Sequence, residues 1–448
     1  MSKIVAGLIG LGTVGTGVVR LLERQNHIRL KTIAVRDIKK KREVSPSCLI
    51  TENVQDIIQD PEIELVIEVA GGIEPVYSYL EAALRAGKHV VTANKKLLAR
   101  RGPELFSLAR AKGVNIFFEA SVAGGVPLIS TLQKGLNANH INSIAGILNG
   151  TTNYILTKMH SSGCSFAEAL KEAQELGFAE ADPTDDVEGH DVAHKLSILA
   201  ALSFGRFANP EHIHREGITT ITARDIALAK ANGCVIKLIG LGLPLANDKV
   251  ELRVHPVLVP FGHPFYAVNG AENAILVSGS AVGQILLSGP GAGREPTASA
   301  VVGDALNLAQ VINLPEFESF FQPEIHTTWA SLTEESELGF ANLVRIKLLR
   351  KGADIEFVAR TLLQNGLKTQ IINAEEDENG YKILSLTTAT QPDAIVEEAL
   401  AHVPNAIVES RLRLLQNQLA AGYQRESLST ASAQQTLRSN SRALSGSC

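Results

Sequence analysis

Residues 175 to 204, ELGFAEADPTDDVEGHDVAHKLSILAALSF, crowd acidic and basic side chains against a run that is otherwise strongly apolar. Within it Asp191 and Lys195 stand four apart and share one helical face, leaving Leu196, Leu199 and Ala200 to pack the other. Charge set against so apolar a helix needs a reason. Spacing alone favours a plainer reading, a surface ion pair contributing well under ~1 kcal/mol. The neighbouring acids Glu180, Asp182, Asp185, Asp186 and Glu188 equally suit a loop and helix start favoured by the helix dipole. His190 and His194 repeat the spacing of a zinc helix, but Asp191 replaces the glutamate of HExxH and no third ligand is evident. Catalytic zinc is therefore not expected, and the two histidines are read as helix-surface or supporting residues.

A second chemical pattern opens the chain. Gly10, Leu11, Gly12, Thr13, Val14 and Gly15 spell GxGxxG directly after a β-like run and at the start of a helical one. Bare backbone there lets a pyrophosphate approach a helix N-terminus. Alone the glycines are also compatible with a structural turn; the strand-turn-helix context makes dinucleotide binding the expectation. The ribose-binding acid of an NAD site is expected about 20 residues further on. Arg36 and Asp37 stand there, followed by Lys39, Lys40, Lys41 and Arg42. Arg36 suits the 2′-phosphate of NADP, whereas Asp37 suits a ribose hydroxyl of NAD, so NADP is favoured and NAD is the alternative.

These groups need a scaffold, and 448 residues exceed what one hydrophobic core holds, so two or three domains are expected. From residue 3 to about 122, β-branched runs alternate with helical patterns, which reads as βαβ units around a parallel sheet. The expected fold class is α/β, with a Rossmann-type dinucleotide-binding domain over residues 1–124. Residues 125–295 read as an α+β substrate-binding and dimerisation domain, helical to about 230 and then strand-like in VIKLIGLGL, KVELRVHPVLV and AILVSG. A glycine-rich turn at 289–293 precedes a helix expected to return to the first domain, which residues 296–330 would complete. Residues 341–416 carry a β-α-β-β-α-β rhythm, the signature of a ferredoxin-like module. Residues 420–448 are rich in Ser, Gln, Arg and Thr, and a disordered tail is expected.

The bulk numbers exclude several classes. At 45% hydrophobic and 20% charged, the chain has the composition of an ordinary soluble protein. A formal charge of -5 gives no cationic field for nucleic acid. Cys48, Cys164, Cys234 and Cys448 form no CxxC pair, against a disulfide framework or zinc ribbon. Neither a signal-peptide pattern nor an apolar run near the ~20 residues of a membrane span is present, so a cytoplasmic protein without a membrane partner is expected.

Six segments, GLIGLGTVG, VVTANKKLLA, EASVAGGVPLI, GILNGTTNYIL, LGFAEADPTDDVEGHDVAHKLSIL and GPGAGREPTASAVVGD, occur in this order. On them the chain, over residues 3 to 320, resembles homoserine dehydrogenase. The resemblance implies NAD(P)H-dependent reduction of L-aspartate 4-semialdehyde to L-homoserine, in threonine, methionine and isoleucine biosynthesis. By position it implies that Glu180 and Asp191 hold the substrate, that Lys195 and Lys95 are active-site lysines, and that Gly177 lies beside the cofactor. Thr92 and Lys95, with Gly291 or Gly293, would line the nicotinamide side. Hydride delivery to an aldehyde builds an alkoxide, so Lys195 is expected to donate the proton, with Asp191 orienting it and Lys95 supporting the carbonyl or substrate carboxylate. Glu180 and either Asp185 or Asp186 would meet the substrate ammonium. Thr151 would donate its hydroxyl to the substrate, or else cap its helix.

The resemblance also suggests a monovalent cation, with sodium the expected ion, near Glu119, Val122, Gly124 and Val126. Ala123 stands where many relatives have Gly, which such a site tolerates with a negative φ; without the family, Glu119 is only a capping residue at a strand end. Residues 341–416 resemble an ACT-type regulatory module with threonine as the candidate effector. RKGADIEFVARTLL lacks the Asp-x-Pro-Gly character of that module's first loop, which leaves dimerisation as an equal alternative. A homodimer or homotetramer is expected. Two rivals remain. Another semialdehyde oxidoreductase, such as an aspartate-semialdehyde dehydrogenase, needs a thiolate in a strong active-site setting, which Cys48, Cys164 and Cys234 lack. A non-catalytic dinucleotide sensor would bind nucleotide without turnover, and retention of Lys95 and Lys195 speaks against it.

Overall fold

In a computed structural model of the chain, the structure describes residues 3–246, 249–312, 325, 328–333, 338–350 and 354–415. The tail expected over 420–448 lies outside the described residues, as does most of 313–330.

The N-terminal alternation gives β1 (Ile4–Ile9), α1 (Thr13–Leu22), β2 (Ile28–Ala34), β3 (Leu49–Thr51), β4 (Leu65–Glu68), α2 (Val76–Arg85), β5 (His89–Thr92), α3 (Lys95–Ala111) and β6 (Ile116–Phe117). The strands pair in parallel in the order β3-β2-β1-β4-β5-β6, the doubly wound dinucleotide-binding arrangement. Every residue of β4 and β5 is buried, as befits a parallel sheet covered on both faces. The strand order reverses between β1 and β4, and the glycine turn follows β1 at the carboxyl edge where such sheets bind ligands.

The next region supplies β7 (Ile141–Ile147), α4 (Gly150–Ser162), α5 (Phe166–Glu175), α6 (His190–Phe204), β8 (Cys234–Pro244), β9 (Lys249–Pro260), β10 (Glu272–Gly279) and β11 (Gly283–Pro290). These strands form an antiparallel run β11-β10-β7-β8-β9. Glycines at 240 and 242 let α6 settle on β8, for a methyl at Gly240 would lie 3.0 Å from Val192. Helix α7 (Arg294–Val311) packs on α1: Ala298, Val301, Ala305 and Leu308 share a core with Val18, Val19 and Leu22.

The C-terminal rhythm forms β12 (Asn342–Leu348), α8 (Ile355–Gln364), β13 (Thr369–Glu376), β14 (Lys382–Thr388), α9 (Asp393–Ala401) and β15 (Ala406–Leu414). Their order, β15-β12-β14-β13, is that of a ferredoxin-like sheet. This sheet does not stand apart. β15 pairs in parallel with β9 through Val257↔Arg413 and Leu258↔Leu414, so the second domain and the module share one continuous sheet. Charged pairs cross the same seam: Arg413 of β15 meets Glu216 at 2.7 Å, and Arg253 of β9 reaches Asp393 at the start of α9 at 3.4 Å. No described helix is long and apolar enough to cross a membrane.

Candidate active site

Gly10 takes φ +101, and a methyl there would lie 2.8 Å from Ala70 N, so this position admits only glycine. A methyl at Gly15 would overlap the Gly10 carbonyl. Gly12 differs, with nothing within 4 Å of the place its side chain would occupy. It also gives α1 no side-chain cap, which leaves the first N–H groups of that helix without a side-chain acceptor, as an anion cradle requires. The residues therefore fit a dinucleotide pyrophosphate. Arg36 is exposed just past the end of β2, while the Asp37 carboxylate accepts from Lys39 N at 2.8 Å within its own loop.

A cleft of about 240 Å³ opens beside this turn, lined by Val14, Glu68 and Lys95 from the first domain and by Lys195 and Gly291 from the second. Lys95 begins α3, whose cap is Asn94, its side chain accepting from Leu97 N at 3.1 Å. Lys195 lies in α6, four residues beyond Asp191. The surface reading of that pair is overturned: Asp191 is 3% and Lys195 6% exposed. Asp191 is held between two lysines, with Lys95 Nζ 2.5 Å from Oδ1 and Lys195 Nζ 2.7 Å from Oδ2. Lys195 also donates to the Leu148 carbonyl at 2.5 Å, and Asn273 donates to the same oxygen at 3.0 Å.

Burial alone would lift the Asp191 carboxyl, but the charges of Lys195 and Lys95 hold it well below the ordinary carboxylate range. Burial pushes the Lys195 ammonium below its usual value, against the pull of Asp191 and helped by repulsion from Lys95. Asp191 raises Lys95, whose side chain remains 36% exposed to the cleft. Burying the Asp191 and Lys195 charges is a poor way to stabilise a fold. It is a good way to keep one cation aimed and ready to release a proton while another stays charged.

The remaining predicted residues are distributed around this centre. Asp186 is half-buried and accepts from Asn149 Nδ2 at 2.7 Å; burial and the nearby Asp191 charge raise it. Asp185 is exposed and pairs with Lys96. Glu180 and Gly177, at φ +77, lie exposed in the loop after α5. The Thr151 hydroxyl donates to Phe178 O at 2.7 Å and so tethers that loop, while the helix cap is Asn149 instead. Thr92 is buried, donating to Glu68 at 2.6 Å and accepting from Asn94 N at 3.0 Å, so its hydroxyl braces the cleft wall. A methyl at Gly291 would overlap the Asn273 amide, and Gly293, at φ +120, precedes α7. His194 is 5% exposed, with burial pushing its imidazole down to about 4.

Around Glu119 one expectation needs correcting. Ala123 adopts φ +49 in the left-handed region, so the negative φ on which tolerance of Ala in such an ion site depends is not met. The Glu119 carboxylate caps a following turn, accepting from Ile129 N at 2.7 Å and Ser130 N at 2.8 Å. Sequence reasoning missed Asn149, Asn273 and Glu68. Asn149 carried a usable signal, a capping residue type directly before a helix; Glu68 carried a weaker one, an acid closing a wholly apolar strand.

Residues 10–119 match the family model described as homoserine dehydrogenase, NAD binding domain, and residues 127–306 match that of homoserine dehydrogenase itself. The chain is 47% identical to the homoserine dehydrogenase of Bacillus subtilis over 324 residues, 70% of this chain and 75% of that one. It is 39% identical to that of Pseudomonas aeruginosa, over 93% of this chain and all of the other. A solved homoserine dehydrogenase from Thiobacillus denitrificans superposes with a TM-score of 0.86 at 39% identity, covering 93% of this chain and 99% of that one. A hyperthermophilic archaeal relative, solved in complex with NADPH, gives a TM-score of 0.60 at 27% identity, covering 69% and 98%. With a parallel sheet built for a dinucleotide, two lysines on one buried aspartate, and relatives matched along most of both chains, the chain belongs to the homoserine dehydrogenase family of NAD(P)-dependent oxidoreductases.

Proposed function

We propose that Lys195 is the proton donor in reduction of aspartate 4-semialdehyde, with the nicotinamide seated in the cleft against Lys95 and Gly291. The observation that carries this is Asp191, clamped between two ammonium groups that line one cleft. The reduced nicotinamide supplies the hydride. Lys195, aimed by Asp191 and the Leu148 carbonyl, passes its Nζ proton to the oxygen that the hydride leaves negative, then is reprotonated from solvent. Lys95 keeps its charge beside the carbonyl oxygen or the substrate carboxylate. Glu180 and Asp186 take the substrate ammonium; Asp185, already paired with Lys96, is the weaker choice. Gly177 and Thr151 belong to this reading as residues that shape the loop over the cofactor, Thr151 through its bond to Phe178.

NADP is the preferred cofactor in this reading, supported by exposed Arg36 and the basic run after it, and in line with the archaeal relative solved with NADPH. A sodium ion held by Glu119 and the carbonyls of Val122, Gly124 and Val126 is the least supported element. The Glu119 carboxylate is already engaged, and Val126 O accepts from Leu128 N at 2.7 Å, so no step is routed through the ion. Threonine as effector and a homodimer or homotetramer in the cytoplasm complete the proposal; the exposed edge strand β11, with Leu286 41% exposed, supports assembly.

The test follows NADPH and NADH oxidation with aspartate semialdehyde, with and without threonine, in the parent chain and in Lys195→Met. Aldehyde-dependent oxidation, faster with NADPH, is expected, falling about a hundredfold or more in the variant with NADPH affinity retained. Nucleotide binding without turnover in the parent chain would return the sensor reading.

A further inference from the structure

Asn149 sits between β7 and α4, 4% exposed. Its single amide nitrogen donates to two carboxylates, Asp186 Oδ1 at 2.7 Å and Asp191 Oδ2 at 2.9 Å. These acids come from different elements, Asp186 from the helical turn Thr184–Val187 and Asp191 from α6. Asp191 has two lysines to hold it. Asp186 has no ion pair among the described residues, and only its Oδ1 takes a bond there. The amide carbonyl of Asn149 faces the other way, accepting from Thr152 N at 2.8 Å and Thr152 Oγ1 at 3.0 Å. That cap fixes the amide orientation, since the flipped amide would turn its oxygen against two carboxylates and its nitrogen against an N–H.

We propose that Asn149 is a positioning residue that ties Asp186 to the lysine-clamped Asp191, presenting the free oxygen of Asp186 to the ammonium group of an amino-acid substrate. The idea rests on the amino-aldehyde reading above. Two adjacent carboxylates repel and drift apart unless something donates to both. Asn149 does so with a nitrogen whose opposite end is locked into α4, so the spacing is inherited from the backbone. The residue therefore acts on recognition of the amino group and leaves cofactor binding and hydride transfer to others.

A pure helix cap would behave differently, because Ser and Asp cap as well as Asn. Asn149→Ser keeps the cap and removes both donors. Asn149→Asp keeps the cap and the volume and places a third acid beside the pair. With homoserine as substrate, Asn149→Ser should raise KM about tenfold or more, the scale of a hydrogen bond to a charged group. Its KM for NADP⁺ should change little, and its kcat should fall by less than KM rises, since Asp191 keeps both lysines. The parent chain should prefer homoserine to 4-hydroxybutanoate, the same alcohol without the amino group, and this preference should collapse in Asn149→Ser and collapse further in Asn149→Asp. Unchanged preference in both variants overturns the proposal, and should Asn149→Ser not fold, Asn149→Asp decides alone. Absence of the preference in the parent chain overturns the substrate reading itself, and with it the role of Asn149.

Discussion

Lys195 holds a positive charge where water scarcely reaches it, and the consequence is a proton given up more readily than by an ordinary lysine. With Lys195 as the donor proposed above, aldehyde reduction needs its protonated form, so kcat should be flat at lower pH and fall as pH rises through the depressed Lys195 value. Alcohol oxidation needs the neutral amine and should rise through the same value. Asp191→Asn removes the anion that opposes deprotonation, so the limb should move to lower pH and kcat should drop. A pH-rate profile of that variant with its limb unmoved would take Asp191 out of the proton path. The spacing of 191 and 195 was visible in the chain because four residues make one helical turn. The partnership with Lys95 was not, because it joins α3 to α6 across two domains. Burial was hidden too, since polar residues in a helix default to its wet face.

At the scale of elements, the glycine turn separates fold from binding. Gly12 has room for a methyl at a negative φ, so Gly12→Ala should leave the melting temperature within a degree or two and raise KM for NADPH severalfold. Gly15→Ala drives its methyl into the Gly10 carbonyl and should lower stability by roughly 1–3 kcal/mol, seen as a lower melting temperature without any nucleotide. Equal melting temperatures for the two variants would refute this division. The turn was legible because its logic is local: a strand, three glycines and a helix within a dozen residues. Thr151 shows the opposite case. Its type suited either a substrate donor or a cap, yet the residue two before it caps the helix, and its own hydroxyl goes to a loop 27 positions away.

At the scale of the whole molecule, the seam between the second domain and the C-terminal module carries its own pH response. His255 is fully buried there, edge-on to Phe340 at 5.6 Å and facing Glu216, Asp393 and Arg413, with burial pushing its imidazole down to about 3. His89, His194 and His263 are likewise buried and pushed down to about 4. An unfolded histidine titrates near ~6.5. Below that value the unfolded chain binds protons that the folded one refuses, so stability should fall as pH drops from about 6.5 towards 4. Thermal melting across pH 5 to 7 should show the slope, and His255→Gln, which removes one of the four contributors, should lessen it. The rhythm of the module's strands was readable from alternation. Its fusion with β9 was not, since nothing in VLV or RLRLL announces a parallel partner some 156 residues away.

That fusion means the last quarter of the chain cannot be trimmed away like a tag. A protein stopped near residue 340 would show raw backbone at Val257 and Leu258, leave Arg253 with Glu251 alone once Asp393 is gone, and take Arg413 away from Glu216. Such a fragment would seek another molecule's strand to finish its own, and clump at concentrations where the full-length chain stays dispersed.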